Sequence, residues 1–84
     1  MKLLRESMTK VQLQQPRCTV RVWRQEAKSG PLDHERVEKM VRSVAEVSAD
    51  RQVLASALVR LPKVNAVEVL DADGNGEVLY SNWP

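Results

Sequence analysis

The sequence contains no phenylalanine, one cysteine and one histidine among its 84 residues. Without Phe, the interior has to be filled by Val, Leu, Ala and Met, and a chain of this length buries only about 60–65 % of its unfolded surface. We therefore expect one small domain with a thin core. Cys18 has no cysteine partner within the chain, and its alignment with Val20 and Val22 predicts a buried thiol in a reducing compartment.

Other absences narrow the range of functions. No apolar run approaches the roughly 20 residues of a membrane span, and the residues after Met1 break off too early for a signal-peptide core, so we expect a cytoplasmic location. There is no Gly-rich phosphate loop, and one cysteine and one histidine are too few for a transition-metal site. His34 lies between Asp33 and Glu35 and is predicted to be a surface residue. We predict no catalytic residue, metal site or cofactor, and a protein that is not an enzyme.

Charge is distributed unevenly along the chain. Residues 1–28 contain seven Lys or Arg and two Glu, a balance of +5, whereas residues 62–84 contain one Lys and four acidic residues, a balance of −3. Either the two ends lie together in the fold, or they present opposite charges to partners.

The N-terminal half contains one ambiguous segment and one clear strand. Residues 1–15 alternate like a strand around Val11 and Leu13, but Leu3, Leu4, Met8 and Val11 are spaced like one helical face. We treat this segment as an N-terminal arm, and residues 16–84 as a single domain. Residues 18–25 alternate as a strand that ends before a Lys-Ser-Gly-Pro turn.

Helical periodicity covers residues 32–61. Its apolar positions recur at steps of three and four, and only Arg51 interrupts them. They are Val37, Met40, Val41, Val44, Val47, Leu54, Leu58 and Leu61. Residues 48–50, Ser-Ala-Asp, would equally cap a second helix, so one bent helix and two helices both fit, and we favour the continuous helix.

The C-terminal segment predicts a β-hairpin. Residues 64–70 and 77–83 are strand-like, and Asp73-Gly74-Asn75-Gly76 supplies the dipeptides that tolerate a left-handed turn. Residues 71–78 also match the first eight positions of an EF-hand calcium loop. The twelfth position is Asn82 where that loop needs a bidentate Glu, so we interpret the segment as an acidic turn.

These elements predict an α+β fold of the type β-α-β-β. A helix that joins two strands of one sheet crosses over right-handedly, so the first two strands should run parallel, with the third between them. We therefore expect a three-stranded sheet of order 1-3-2, covered on one face by the long or bent helix and open on the other.

The stretch from Ala57 to Val69, a helix that runs straight into a strand, resembles the helix-to-strand passage of ferredoxin-like domains such as the heavy-metal-associated and ACT families. The resemblance covers about half of such a domain and implies only its fold. Where the heavy-metal family has Cys-x-x-Cys, residues 26–30 read Glu-Ala-Lys-Ser-Gly, so metal carriage is not implied. The second helix and fourth strand of that fold are not predicted here.

The predicted open sheet face contains the candidate binding site. Trp23 lies on the strand face opposite Val20 and Val22, where a polar residue would be expected. If Val78 and Tyr80 face the helix, an apolar patch forms with Arg21 and Glu68 at its rim. Its apolar members are Trp23, Leu70, Leu79 and Trp83. The alternative is that residues 1–15 fold back, with Val11 and Leu13 covering Trp23.

Two functions follow from this surface. Trp and Arg are enriched at the centres of protein interfaces, which favours a non-catalytic protein-binding module with partner contacts at Arg21, Trp23, Leu70, Leu79 and Trp83. By size and type it resembles the small inhibitors of host proteins made by phages and other mobile elements; a second copy of the chain is another candidate partner. The alternative is single-stranded nucleic-acid binding through Lys10, Arg17, Arg21 and Arg24, which the net charge of +2 and the acidic neighbouring strands disfavour.

Overall fold

A computed structural model of the protein describes residues 8–24, 34–48 and 50–81. Their elements follow the order β-β-α-α-β-β. The bounds are β1 (Met8–Gln14), β2 (Arg17–Arg24), α1 (His34–Val47), α2 (Arg51–Val59), β3 (Val64–Asp71) and β4 (Val78–Ser81).

The four strands form one antiparallel sheet in the order β1-β2-β3-β4. This confirms the α+β class, a strand within residues 18–25 and a C-terminal hairpin, although residue 25 and residues 82–83 of the predicted strands lie outside the described residues. The predicted three-stranded sheet of order 1-3-2 is wrong, because β2 pairs directly and antiparallel with β3, and β4 lies at the edge.

The number of helices explains this topology. One helix returns the chain to the starting end of the preceding strand, so the next strand runs parallel; a second helix carries it back again, so the next strand runs antiparallel. Asp50 breaks the helix by capping α2: its Oδ1 accepts hydrogen bonds from the backbone N–H of Gln52 (2.7 Å) and Val53 (3.3 Å). The favoured continuous helix is therefore wrong, and the two-helix alternative is correct.

Part of the predicted N-terminal arm is strand β1, which pairs with β2 along its whole length. Thr9, Val11 and Leu13 are buried on the side of the sheet that faces the helices. The alternative in which Val11 and Leu13 cover Trp23 is therefore wrong, because these two side chains belong to the core on the opposite face. Residues 1–7 of the arm lie outside the described residues.

The core lies between the sheet and the two helices. Helix α1 packs against β1, and α2 packs against β3 and β4. The helices contribute Val37, Val41, Ala45, Leu54, Ala55 and Leu58 to the buried cluster. Cys18 is buried there, as predicted, but Val47 of the predicted stripe is 85 % exposed, because it is the last residue of α1.

The loop between β3 and β4 is tied to the start of α2. Gly74 and Gly76 adopt left-handed backbone angles, with φ of 79° and 63°. Asp71 Oδ1 accepts a hydrogen bond from the Asn75 N–H (2.8 Å), and Arg51 Nη1 donates one to the Gly76 carbonyl (2.6 Å). Arg51, the one interruption in the apolar stripe, thus anchors the hairpin to α2.

Candidate functional site

The sheet face away from the helices is built from alternate residues of all four strands. Strand pairing aligns these residues in rows, with Trp23 opposite Ala66 and Arg21 opposite Glu68. We call this surface the open face. Its members are Met8, Lys10, Gln12 and Gln14 of β1, Arg17, Thr19, Arg21 and Trp23 of β2, Ala66, Glu68 and Leu70 of β3, and Leu79 and Ser81 of β4.

An ion pair occupies the middle of the open face. Arg21 Nη1 lies 2.7 Å from Glu68 Oε1, and the two side chains are 37 % and 13 % exposed. A partly exposed pair of this kind contributes little to folding stability, about 0–1 kcal/mol. It does fix the direction of both side chains, so the face presents a defined polar centre.

The apolar residues of the predicted patch lie around this ion pair. Trp23 and Leu70 belong to the rows on either side of it, and rows on one face of a strand are about 6.8 Å apart. Arg21 and Glu68 were predicted to form the rim, which is wrong, because the register places them between Trp23 and Leu70. An interface here would therefore have a charged centre with apolar contacts around it.

The register also resolves the ambiguity on β4. Val78 and Tyr80 pair with Val69 and Val67 on the helix side, so Leu79 belongs to the open face, as one of the two predicted arrangements required. Leu79 is 50 % exposed. Trp83 lies outside the described residues.

Accessibility differs along the open face. Trp23 is only partly buried, yet Ala66, directly opposite it, is 1 % exposed. Leu79, in the next row, is half exposed. Among the described apolar residues of this face, Leu79 is therefore the most accessible.

The four basic residues predicted for nucleic-acid binding do not form one cluster. Lys10, Arg17 and Arg21 lie on the open face, but Arg21 is already paired with Glu68. Arg24 lies on the other side of the sheet: a register shift follows Trp23, and the Arg24 Nε is buried. Of the four, Lys10 and Arg17 thus remain on the face without an ion pair to another described residue, which is few for a phosphate-binding surface.

Nucleophilic chemistry finds no support at Cys18. The side chain is buried, and this burial raises the pKa of its thiol; the positive charge of Arg51 offsets part of the rise. The thiol is the less reactive protonation state, so a raised pKa disfavours attack at neutral pH.

His34 and Asp71 are engaged in structural contacts. A 2.7 Å hydrogen bond joins His34 Nδ1 to Thr9 Oγ1, which ties the exposed start of α1 to buried β1. Asp71 holds the amides of its own loop. Across the ranges 8–24, 34–48 and 50–81, no three His, Cys, Asp or Glu side chains are grouped to hold a metal ion.

A second surface, absent from the sequence prediction, lies between α2 and β4. It is an open groove of about 340 Å³, which we call the α2–β4 groove. Its lining residues are Gln52, Val53, Ser56, Ala57, Arg60 and Tyr80. In the sequence, Val53 and Ala57 lie beside the apolar stripe, and their i, i+4 spacing was the one signal that could have indicated a second apolar face on α2.

Comparison of the chain with protein families, curated proteins and solved structures found no match. In the part of the chain that the structure describes, no helix is both long enough and apolar enough to cross a membrane.

Proposed function

We propose that this chain is a non-catalytic protein-binding module whose open face docks on a partner protein. One observation carries the proposal: an ordered ion pair lies between Trp23 and Leu70 on the sheet face opposite both helices, with half-exposed Leu79 beside it. Apolar side chains around a positioned Arg favour binding to protein, because Trp and Arg contribute disproportionately to interface energy.

The distribution of side chains defines the kind of partner. The β1 and β2 side of the face carries Lys10 and Arg17, whereas the β3 and β4 side carries Leu70 and Leu79. A complementary surface would have acidic residues opposite the first pair and apolar residues opposite the second. Such a partner would bury Leu79 and shield the Arg21–Glu68 pair from water.

Site-specific photo-crosslinking tests the proposal. A benzoylphenylalanine in place of Leu79 should give a protein adduct in a lysate of the source cells, and the same group in place of Val47 should not. Val47 is a suitable control, because it is 85 % exposed on α1, away from the open face. The adduct should disappear in the Trp23→Ala variant with unchanged circular dichroism. Equal labelling from both positions would contradict the proposal.

The same experiment distinguishes a partner protein from two other possible occupants of the open face, a second copy of the chain and nucleic acid. An adduct of twice the chain mass would identify a second copy of the protein, and an adduct that is sensitive to nuclease would identify nucleic acid. Gel-shift assays with single-stranded oligonucleotides add a second measurement. We expect no complex with these oligonucleotides. A complex driven by phosphate contacts would weaken steeply as the salt concentration rises, and Arg17→Glu would weaken it further.

A further inference from the structure

The α2–β4 groove is open because α2 uses only part of its circumference in the core. Leu54, Ala55 and Leu58 are fully buried against the sheet. Val53 lies on the neighbouring face of the helix and is 54 % exposed, and Tyr80 of β4 is 37 % exposed. Two of the four large apolar side chains that are exposed in the described residues therefore line one groove.

The groove runs beside a strand that ends the sheet. β4 pairs with β3 on one side only, and no other described strand lies beyond it. Its outward backbone N–H and C=O groups can therefore accept another strand. An added strand would place every second side chain on the side of the sheet where Tyr80 and Val53 lie.

We propose that an extended peptide segment of a partner protein adds to β4 as a fifth strand and fills the α2–β4 groove. One apolar side chain of the peptide contacts Val53 and Tyr80, and an acidic side chain nearby contacts Arg60. Arg60 is the charged residue among those that line the groove, and it is exposed.

Charge favours a peptide over a second copy of the chain. Pairing of β4 with β4 of another copy would bring a second α2, with its own Arg60, to the same side of the joined sheet, so the two grooves would contribute like charges. An acidic extended segment brings no second Arg60 to the joined sheet, so it avoids this repulsion.

This site is distinct from the one in the proposed function. Tyr80 and Val53 lie on the helix side of the sheet, whereas Trp23 and Leu79 lie on the open face. Peptide binding at the groove and protein docking on the open face can therefore succeed or fail separately.

The probe is a displayed library of random twelve-residue peptides, selected on the full chain. Enriched peptides should alternate apolar and polar residues and contain an acidic residue. Each is then synthesised, and its affinity is measured by fluorescence anisotropy. Val53→Ser should weaken binding about tenfold, because it removes most of the burial of one apolar side chain. Arg60→Glu should weaken it about fivefold, the value of one exposed ion pair.

Matched controls keep the test specific. Val47→Ser makes the same change at an exposed valine on α1, and Arg17→Glu makes the same charge change on the open face; both should leave the affinity unchanged. A peptide in which lysine replaces the acidic residue should bind the Arg60→Glu variant more tightly than it binds the natural chain. Binding should also slow amide hydrogen exchange in β4.

Three results would overturn the inference. They are the absence of enriched peptides, equal peptide affinity in Val53→Ser and the natural chain, and a dimer of the natural chain that Val53→Ser dissociates in light-scattering measurements. The last result would assign the groove to a second copy. Because Val53 is exposed, its substitution should not unfold the protein, and circular dichroism verifies this.

Discussion

β1 and β4 both end the sheet, but β1 contributes seven residues and β4 only four. In β1, Thr9, Val11 and Leu13 are buried, and on the other face three of the four side chains are polar and exposed, namely Lys10, Gln12 and Gln14. In β4, no residue is fully buried, and Leu79 and Tyr80 are exposed on opposite sides of the sheet. The β1 edge is thus anchored by buried side chains on the helix side of the sheet and is mostly polar on the open face. The β4 edge has no fully buried side chain and exposes one apolar side chain on each side of the sheet.

The β1 edge has charged groups that disfavour strand addition. Lys10 lies in the exposed part of the strand, and the Glu38–Arg42 ion pair of α1 (2.8 Å) flanks the same edge. Charged groups at an edge disfavour pairing with another strand, because they would have to lose water. β4 has no charged residue within its four positions. Of the two edges in the described sheet, β4 is therefore the one with fewer features that disfavour pairing with another strand.

The two edges also differ in how they are held. β1 is fixed by buried side chains in the core, whereas β4 contributes only the partly buried Val78 to it. β4 is also held through its loop, where Arg51 donates to the Gly76 carbonyl and Asp71 holds the loop amides. We therefore expect substitutions in the core to matter at β1, and substitutions in the loop to matter at β4.

The largest difference is expected from one substitution made at both edges. Leu13→Ala removes a side chain that is 5 % exposed and should lower the free energy of unfolding by about 2–4 kcal/mol. Leu79→Ala removes one that is 50 % exposed and should lower it by less than about 1 kcal/mol. Urea denaturation measures both values. Equal losses would show that β4 is anchored as firmly as β1.

A smaller effect is expected in the loop that holds β4. A Cβ at Gly76 would lie 2.7 Å from Arg51 Nη1, at a positive φ, so Gly76→Ala should cost about 2 kcal/mol through backbone strain and loss of the Arg51 hydrogen bond. Gly74 also has a positive φ but open space around it, so Gly74→Ala should cost only about 1 kcal/mol.

The double variants test the cause of this difference. If Arg51 is responsible, the two glycine substitutions should become equally costly in the Arg51→Met background. A difference that persists without the guanidinium would contradict the proposed role of Arg51. Thermal unfolding of the four variants gives the comparison.

The strands near each edge were predictable to different degrees. β2 and the β3–β4 hairpin follow from strict alternation and from the Asp-Gly and Asn-Gly dipeptides, which are local signals. The sequence of the β1 segment is compatible with both a strand and a helix, because Leu3 and Met8 fit a helical spacing as well as Val11 and Leu13 fit a strand.

The strand order depends on the break between α1 and α2, which the apolar periodicity does not indicate. The apolar spacing continues across residues 48–50, so it favours a single helix, but the Asp50 carboxylate satisfies the first amides of a new one. Reading one helix where there are two reverses the direction of β3 relative to β2. The position of Arg21 and Glu68 between Trp23 and Leu70 depends on the antiparallel pairing of β2 with β3. Because the predicted sheet lacks this pairing, the sequence predicts both residues at the rim of the patch.

A third, smaller effect is expected at the contact between β1 and α1. Thr9→Val removes the hydroxyl that bonds His34 Nδ1 and should cost about 1 kcal/mol. Thr19→Val makes the same change on the open face, where Thr19 is partly buried, and should be nearly neutral. Chemical denaturation distinguishes the two. A neutral Thr9→Val would show that β1 is held by its apolar side chains alone.

The smallest effect is expected from alkaline pH, through Cys18, which pairs with Leu13 of β1 on one side and with Asp71 of β3 on the other. Burial raises the pKa of its thiol in the folded state, whereas the unfolded thiol ionises at about 8.5. Below that pH both states hold the proton and stability is unaffected. Above it the unfolded state loses the proton first, so stability falls until the pH passes the raised folded-state pKa.

Denaturation between about pH 7 and 10 should therefore show a decline in the natural chain that Cys18→Ala lacks. Because the Arg51 charge opposes the shift, Arg51→Met should extend the decline to higher pH. Parallel pH profiles for the natural chain and Cys18→Ala would contradict a buried thiol between the two edges.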